Sequence, residues 1–281
     1  MNKIALERIA KSQLNDRQFK ILKHAYLFGF SIYNKLYGFV LGKHPKNTIF
    51  SFNFHNVNHI NNFLVKVISQ IPNNQYDIVD VGAGSSPYYE YFIGKISRYI
   101  AIDKFINLAS DDERQIEKLY GYAENLPLPN ETADIVLCNQ VLEHVKDPIK
   151  ATTEIYRILK PDSLFIGSVP HIDLIHLEPY DFRRYTRFGI EKLLREQGFE
   201  KIIVEQNTGI YSAVAFIIAM NWVLSPQEDK KSQQVYTLNA FLLAPIIGLM
   251  NFLGKILDSI FKDKNRTPTN LCWIATKPSQ D

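Results

Sequence analysis

Three groups of residues carry chemistry by type and spacing. The first is Asp80-Val81-Gly82-Ala83-Gly84, an acid followed by two glycines one residue apart. The second is Asp103, nineteen residues beyond Gly84. The third is the polar, aromatic run His171 to Thr186, which holds His171, His176, Tyr180, Asp181, Arg183 and Arg184. Glycine allows a positive φ and lets a ligand come close to the backbone. A carboxylate at a neighbouring strand end can accept both hydroxyls of an adenosine ribose. Together these residues point to nucleotide-type chemistry, with a base or an anion-binding group supplied by the third run.

The glycine pair alone admits three readings. A dinucleotide loop wants a third glycine, and position 87 is Pro87. A loop for S-adenosylmethionine (SAM) would use the acid before the glycines, because the methionine half carries an ammonium. The third reading is a plain turn between a core strand and a helix.

A further cluster narrows the choice. Gly121-Tyr122-Ala123-Glu124-Asn125-Leu126-Pro127-Leu128-Pro129 precedes Ala133-Asp134-Ile135-Val136, then Asn139-Gln140-Val141-Leu142-Glu143-His144-Val145 and Arg157-Ile158-Leu159-Lys160-Pro161. In order and spacing, over about residues 76–206, this set resembles the class I SAM-dependent methyltransferases of the type 11 subgroup. The resemblance implies SAM as cofactor. Asp80, Gly82, Ala83 and Gly84 would line its methionine half, and Asp103 would hold the ribose. Tyr122, Ala123 and Glu124 would flank the adenine, and Asn139 and Gln140 would close the pocket near the sulfonium. The sequence departs from the family at Ser85-Ser86-Pro87 and at Tyr122, where an acid is common. The segment Pro179 to Thr186 resembles one in members found with glycan and lipid-carrier biosynthesis.

Methyl transfer needs an aligned acceptor and a place for the proton. His171 is the first candidate base, followed by His176 and Asp181. Tyr180, Arg183 and Arg184 are candidates for acceptor binding, the arginines through a phosphate or carboxylate. The acceptor is expected to be a small molecule, a glycan or a lipid-linked compound, methylated at oxygen. The alternatives are a non-catalytic SAM-fold scaffold and an NAD-linked oxidoreductase.

The elements that position these residues are legible as a pattern. Strands are expected at 78–81, 98–102, 119–123, 133–137, 164–169, 199–206 and 271–276. Helices are expected at 17–41, 56–71, 88–96, 147–159 and 187–197, with Gly198 as a left-handed cap. The fold class is α/β: a seven-stranded, Rossmann-like, mostly parallel sheet with an N-terminal helical cap and a helical insertion between strands six and seven. The expected organisation is a cap at 1–72, a SAM-binding core at 73–208 plus 270–281, and an apolar insertion at 209–269. The insertion holds two apolar segments, 209–224 and 238–257, around a polar bridge with Pro226, Glu228, Asp229, Lys230 and Lys231. The first segment, about 16 residues, would span roughly 24 Å as a helix, short of a hydrocarbon core of about 30 Å. Three readings are kept open: a buried or dimer-forming helical pair, a pair lying on a membrane surface, aided by Lys262, Lys264 and Arg266, and a transmembrane hairpin.

Composition sets the outer limits. Lys+Arg 32 against Asp+Glu 29 gives +3, which does not demand a nucleic-acid partner. No Asn/Asp-Pro-Pro-aromatic motif for a flipped base is present. Cys138 and Cys272 read as buried thiols, and no Cys/His cluster has zinc spacing, so no metal is expected. The N-terminal residues show no apolar signal-peptide core, which suggests a cytoplasmic protein with membrane association as an option.

Overall fold

The structure is a computed structural model that describes residues 35–105, 114–224, 232–261 and 266–279. Most of the expected 17–41 helix, the polar bridge, Lys262 and Lys264 lie outside the described residues; 35–41 is helical. A two-strand hairpin follows, β1 Gly42–Lys43 and β2 Lys46–Asn47, then helix α1, Phe54–Gln70. The main sheet contains β3 Tyr76–Val81, β4 Ile96–Asp103, β5 Glu117–Tyr120, β6 Ala133–Asn139, β7 Leu159–Pro170, β8 Glu200–Gln206 and β9 Asn270–Thr276. Its order is β5-β4-β3-β6-β7-β9-β8. All neighbours are parallel except β9, which runs antiparallel to both β7 and β8. Chain order reverses between β3 and β6, so a crevice opens beyond their carboxyl ends.

Both faces of the sheet are covered, which explains why the strands are near-continuous apolar runs. On one face, α1 presents Ile60, Phe63, Leu64, Val67 and Ile68 to Ile78, Tyr99, Ile135, Leu137 and Cys272. On the other, α2 Pro148–Ile158 and α3 Arg187–Glu196 bury Ala151, Ile155, Ile158, Ile190 and Leu194 among Val79, Ile100, Val136, Phe165 and Trp273. Both helices start where their caps dictate. Asp147 accepts the Lys150 amide at 3.0 Å, and Thr186 accepts the Gly189 amide at 3.0 Å. Gly198 has φ +91°, the left-handed conformation expected after α3.

Three boundaries differ from the pattern. The helix expected at 88–96 is only a 3₁₀ turn, Tyr89–Phe92. Gly94 turns left-handed at φ +85°, and β4 begins at Ile96, so the connection has no room for a full helix. The third strand sits at Glu117–Tyr120, because the chain turns at Gly121 and Tyr122 pairs locally with Asn125. The fifth strand begins at Leu159, directly after α2.

The stretch between β8 and β9 forms a helical pair, α4 Ile210–Leu224 and α5 Ser232–Phe261. Asp258 near the end of α5 caps the start of α4, accepting the amides of Gly209 at 3.0 Å, Tyr211 at 2.9 Å and Ser212 at 3.1 Å. Phe216, Ala219, Val223, Ala244 and Ile247 pack with Leu41 and Phe52, and Leu174 lies against them. Asn251 donates to the carbonyls of Ile49 and Ser51, at 2.7 and 3.0 Å. The pair is thereby tied to the hairpin region and to the 171–186 loop.

Candidate cofactor and acceptor site

The expected site residues lie at or just beyond the carboxyl ends of β3, β4, β5, β6 and β7. The two glycines there have different reasons to be glycine. Gly82 has φ +70°, and a Cβ on it would meet Val141 Cγ2 at 2.3 Å. Gly84 has φ +52°, and a Cβ there would meet nothing within 4 Å. Gly82 is required by packing, whereas Gly84 leaves open space where a ligand can reach the backbone. Its amide donates to Asp103 Oδ2 at 3.0 Å, and the Phe105 amide donates to Oδ1 at 2.7 Å. The strand-tip acid and the glycine bend are thus one unit. Ser85 and Ser86 replace the family's further glycine, and their carbonyls are gripped by the Arg114 guanidinium at 3.0 and 2.9 Å.

Asp80 is buried below this bend and accepts the Tyr99 hydroxyl at 2.8 Å. Burial pushes its carboxyl up to about 7; the Tyr99 bond opposes the rise and the Asp103 charge adds to it. Ala123 is buried, and Tyr122 is half-exposed with its hydroxyl accepting from Tyr120 at 2.9 Å. Glu124 Oε1 accepts the Lys146 amide at 2.9 Å, which joins this wall to the β6–α2 connection. Asn139 and Gln140 meet at Ser168, whose hydroxyl donates to Asn139 Oδ1 at 2.9 Å and accepts from Gln140 Nε2 at 3.1 Å. Gln140 also donates to Asn270 Oδ1 at 2.9 Å. The Asn139 amide nitrogen is buried and has no partner.

The 171–186 loop folds over the end of β6. His171 Nδ1 lies 2.6 Å from the Tyr185 carbonyl, and Phe182 donates its amide to the Glu143 carbonyl at 2.9 Å. The Tyr180 ring lies under Lys104, with Nζ 4.7 Å from its centroid, so the loop reaches the tip of β4. Asp181 is held by a two-pronged Arg184 fork at 2.5 and 2.7 Å and by the His176 amide at 3.0 Å. Burial works to raise the Asp181 carboxyl, but the Arg184 and His176 hydrogen bonds prevail and hold it down at about 2. A carboxylate so held is a poor proton acceptor near neutrality, and it acts here as a brace for the loop.

The arginines are turned inward. Arg184 also donates to the Leu174 and Arg183 carbonyls, and Arg183 donates to the carbonyls of Val145 and Lys146. The terminal nitrogens of both guanidiniums, expected as an anion clamp, are thus engaged within the protein, while Arg184 Nε is buried without a partner. Within the loop Ile175, Leu177 and Phe182 are exposed apolar side chains, and so is Phe105 just beyond β4.

The fold also gathers residues to which sequence reasoning assigned no shared role. Glu143 is fully buried, and neither carboxylate oxygen has a hydrogen-bond partner. Burial pushes its carboxyl up to about 8; the nearby amide of its own backbone and the charge of Arg184 oppose the rise, and the charges of Asp181 and Asp173 add to it. His144 Nε2 lies 3.6 Å from Glu143 Oε1, and the His144 and His176 rings meet edge-to-face at 4.8 Å. From the sequence His144 reads as a structural residue beside the cofactor or, less readily, a base; its meeting with His176 is not legible there, because His176 comes from a different loop.

Comparison with known proteins agrees with this geometry. A family model described as a methyltransferase domain matches residues 79–167. The chain is 32% identical over 104 residues to the uncharacterized methyltransferase YcgJ of Bacillus subtilis, covering 33% of this chain and 40% of that one. It is 29% identical over 191 residues to the uncharacterized protein MJ0638 of Methanocaldococcus jannaschii, covering 67% and 74%. The fold matches that of phosphoethanolamine N-methyltransferase 2 from Haemonchus contortus in complex with S-adenosyl-L-methionine, with TM-score 0.52 and 15% identity over 79% of this chain and 53% of that one. The match to YcgJ spans about two fifths of that relative's length. The match to the methyltransferase-domain model covers residues 79–167, and the strand order and glycine bend around that stretch are those of the class I SAM-dependent methyltransferase fold.

Proposed function

We propose that the chain binds SAM and transfers its methyl group to an oxygen of a small, largely apolar or lipid-linked acceptor. The observation that carries this reading is the open, left-handed Gly84 tied through its amide to Asp103. Asp103 keeps lone pairs for the ribose hydroxyls, and Gly82, Ala83 and Gly84 form the surface for the methionine half. Asp80 lies beneath that surface, and a bound ammonium would favour its ionised form. Tyr122, Ala123 and Glu124 flank the adenine, and Asn139 and Gln140 stand beside the sulfonium.

In the reaction an acceptor oxygen attacks the methyl carbon in line with the departing sulfur. The C–S bond breaks as the O–C bond forms, S-adenosylhomocysteine leaves, and the hydroxyl proton passes to a base. Alignment of this kind is worth about 7–11 kcal/mol. His171 is the proposed base. Its Nδ1 faces the Tyr185 carbonyl, so the proton resides there and Nε2 keeps a lone pair.

The exposed apolar side chains of the loop and the helical pair support the acceptor class. Residues 240–261 of α5 have mean hydropathy 1.9 and are long and apolar enough to cross a membrane by length and composition. On this helix Leu242, Ile246, Leu249, Leu253, Ile256 and Ile260 are exposed. We read this face as lying on a lipid surface beside the acceptor loop, which touches the pair through Leu174.

Calorimetry with SAM, S-adenosylhomocysteine and NADH tests the cofactor; binding of NADH alone would reverse the assignment. Incubation of the protein with methyl-labelled SAM and separate membrane and soluble extracts tests the acceptor. Label in the lipid fraction supports the reading, whereas SAM binding without turnover in either fraction points to a scaffold. Flotation with anionic vesicles tests the apolar face. A mass twice that of the chain without flotation would assign the face to a homodimer.

A further inference from the structure

Glu143 presents an unmet hydrogen-bonding demand. Its carboxylate has no solvent exposure, and both oxygens lack a hydrogen-bond partner. His144 Nε2 lies 3.6 Å from Oε1, beyond hydrogen-bond reach. Native proteins rarely leave a buried carboxylate in this state.

The two histidines nearby are arranged to offer lone pairs. His144 Nδ1 lies 3.0 Å from the Tyr180 carbonyl, and His176 Nδ1 lies 3.0 Å from the Leu174 carbonyl. A carbonyl only accepts, so each Nδ1 carries the proton and each Nε2 is left basic. This is the orientation that metal-ligating histidines take when an outer carbonyl fixes their tautomer. One donor atom from each of Glu143, His144 and His176 lies within 4.8 Å of the others. Around a shared ion with bonds of about 2.0–2.2 Å the same atoms would stand about 3–4 Å apart. Small side-chain rotations would close that gap. The surrounding charges are mixed: Asp181 is matched by the Arg184 fork, Asp173 adds one negative charge, and Lys104 adds a positive one on the His144 side.

We infer that Glu143, His144 and His176 form a binding site for a divalent transition-metal ion. Two imidazoles and one carboxylate suit zinc, cobalt, iron or manganese better than magnesium or calcium. Three protein ligands would leave at least one coordination position for water or a substrate oxygen. Where the methyl-transfer reading holds, an acceptor oxygen could take that position, and its hydroxyl would lose its proton more readily. The metal site itself does not depend on that reading.

The test is cobalt(II) titration of the full chain after chelator treatment, followed by visible absorption and calorimetry. The expected result is one ion per chain, a d–d absorption band and a higher Tm with metal. Glu143→Gln and His176→Gln should each weaken binding at least tenfold, and His44→Gln should leave it unchanged. His176 is partly exposed, so its variant reports on the site even if Glu143→Gln impairs folding. Absence of binding in the wild type, or equal affinity in wild type and His176→Gln, overturns the site. SAM affinity is measured on the same samples without metal. Its loss would count against the methyltransferase reading and leave the metal result standing.

Discussion

The amide of Gly84 donates to Asp103 Oδ2 at 3.0 Å, so the end of β4 holds the glycine bend of β3 in place. Replacing Asp103 with Ala removes this bond, the Phe105 bond and the proposed ribose partner at once. A hydrogen bond to a charged group is worth about 1.5–3 kcal/mol. SAM affinity should therefore fall by about 10–100-fold in calorimetry, with unfolding still cooperative. Asp103→Asn should lose less, because the amide oxygen can still accept.

The two glycines should respond differently to alanine. At both positions a Cβ in the left-handed region costs about 1–2 kcal/mol. At Gly82 the new Cβ also meets Val141 Cγ2 at 2.3 Å, so Gly82→Ala should lower Tm most. Gly84→Ala meets no protein atom and should stay folded. It should nevertheless weaken SAM binding by an order of magnitude or more, because it fills the space along the backbone. Paired thermal melts and SAM titrations separate the two effects.

Asp80 gives the cofactor site a pH dependence. Its folded pKa is raised from 3.8 to about 7, so the folded chain holds this proton more tightly than the unfolded one. The resulting stability is complete below about pH 4 and is lost as pH climbs through about 7. Glu143, raised to about 8, acts in the same direction. SAM, with its ammonium, should favour the ionised Asp80, so affinity should rise severalfold between about pH 6 and pH 7.5. Calorimetry across this range on the wild type and on Asp80→Asn checks the point. The variant should show a flatter profile.

The Arg184–Asp181 fork should behave as a structural brace. Asp181 is nearly inaccessible, and Arg184→Met would leave its carboxylate without its main partner. A loss of about 2 kcal/mol is expected in urea unfolding, together with faster proteolysis within 171–186. The fork's contribution is present above about pH 4 and lost as pH falls toward 2, where Asp181 takes up its proton. Arg183→Ala with Arg184→Ala should lower activity toward phosphorylated and unphosphorylated acceptors alike.

Much of the fold was legible in the sequence because its signals are local. A buried parallel strand is a short apolar run, so Ile78–Val81 and Ala133–Leu137 could be placed from their own residues. A left-handed turn needs glycine, so Gly82, Gly84 and Gly198 marked bends without reference to distant residues. Asp103 followed from the spacing between one strand end and the next. Other features depended on atoms far apart in the chain. The helix expected after the glycine bend shrank to a 3₁₀ turn because Gly94 and the early start of β4 left it no room. Whether Gly82 and Gly84 serve packing or a ligand was decided by Val141, which arrives from another strand end. Arg183 and Arg184 are cations by sequence, but the fold turned them onto Asp181 and onto backbone carbonyls. The meeting of Glu143 and His144 with His176 has no signature in spacing, because a loop brings the third residue over the first two. Backbone conformation is set by neighbours in sequence; the direction in which a charge or lone pair points is set by neighbours in space.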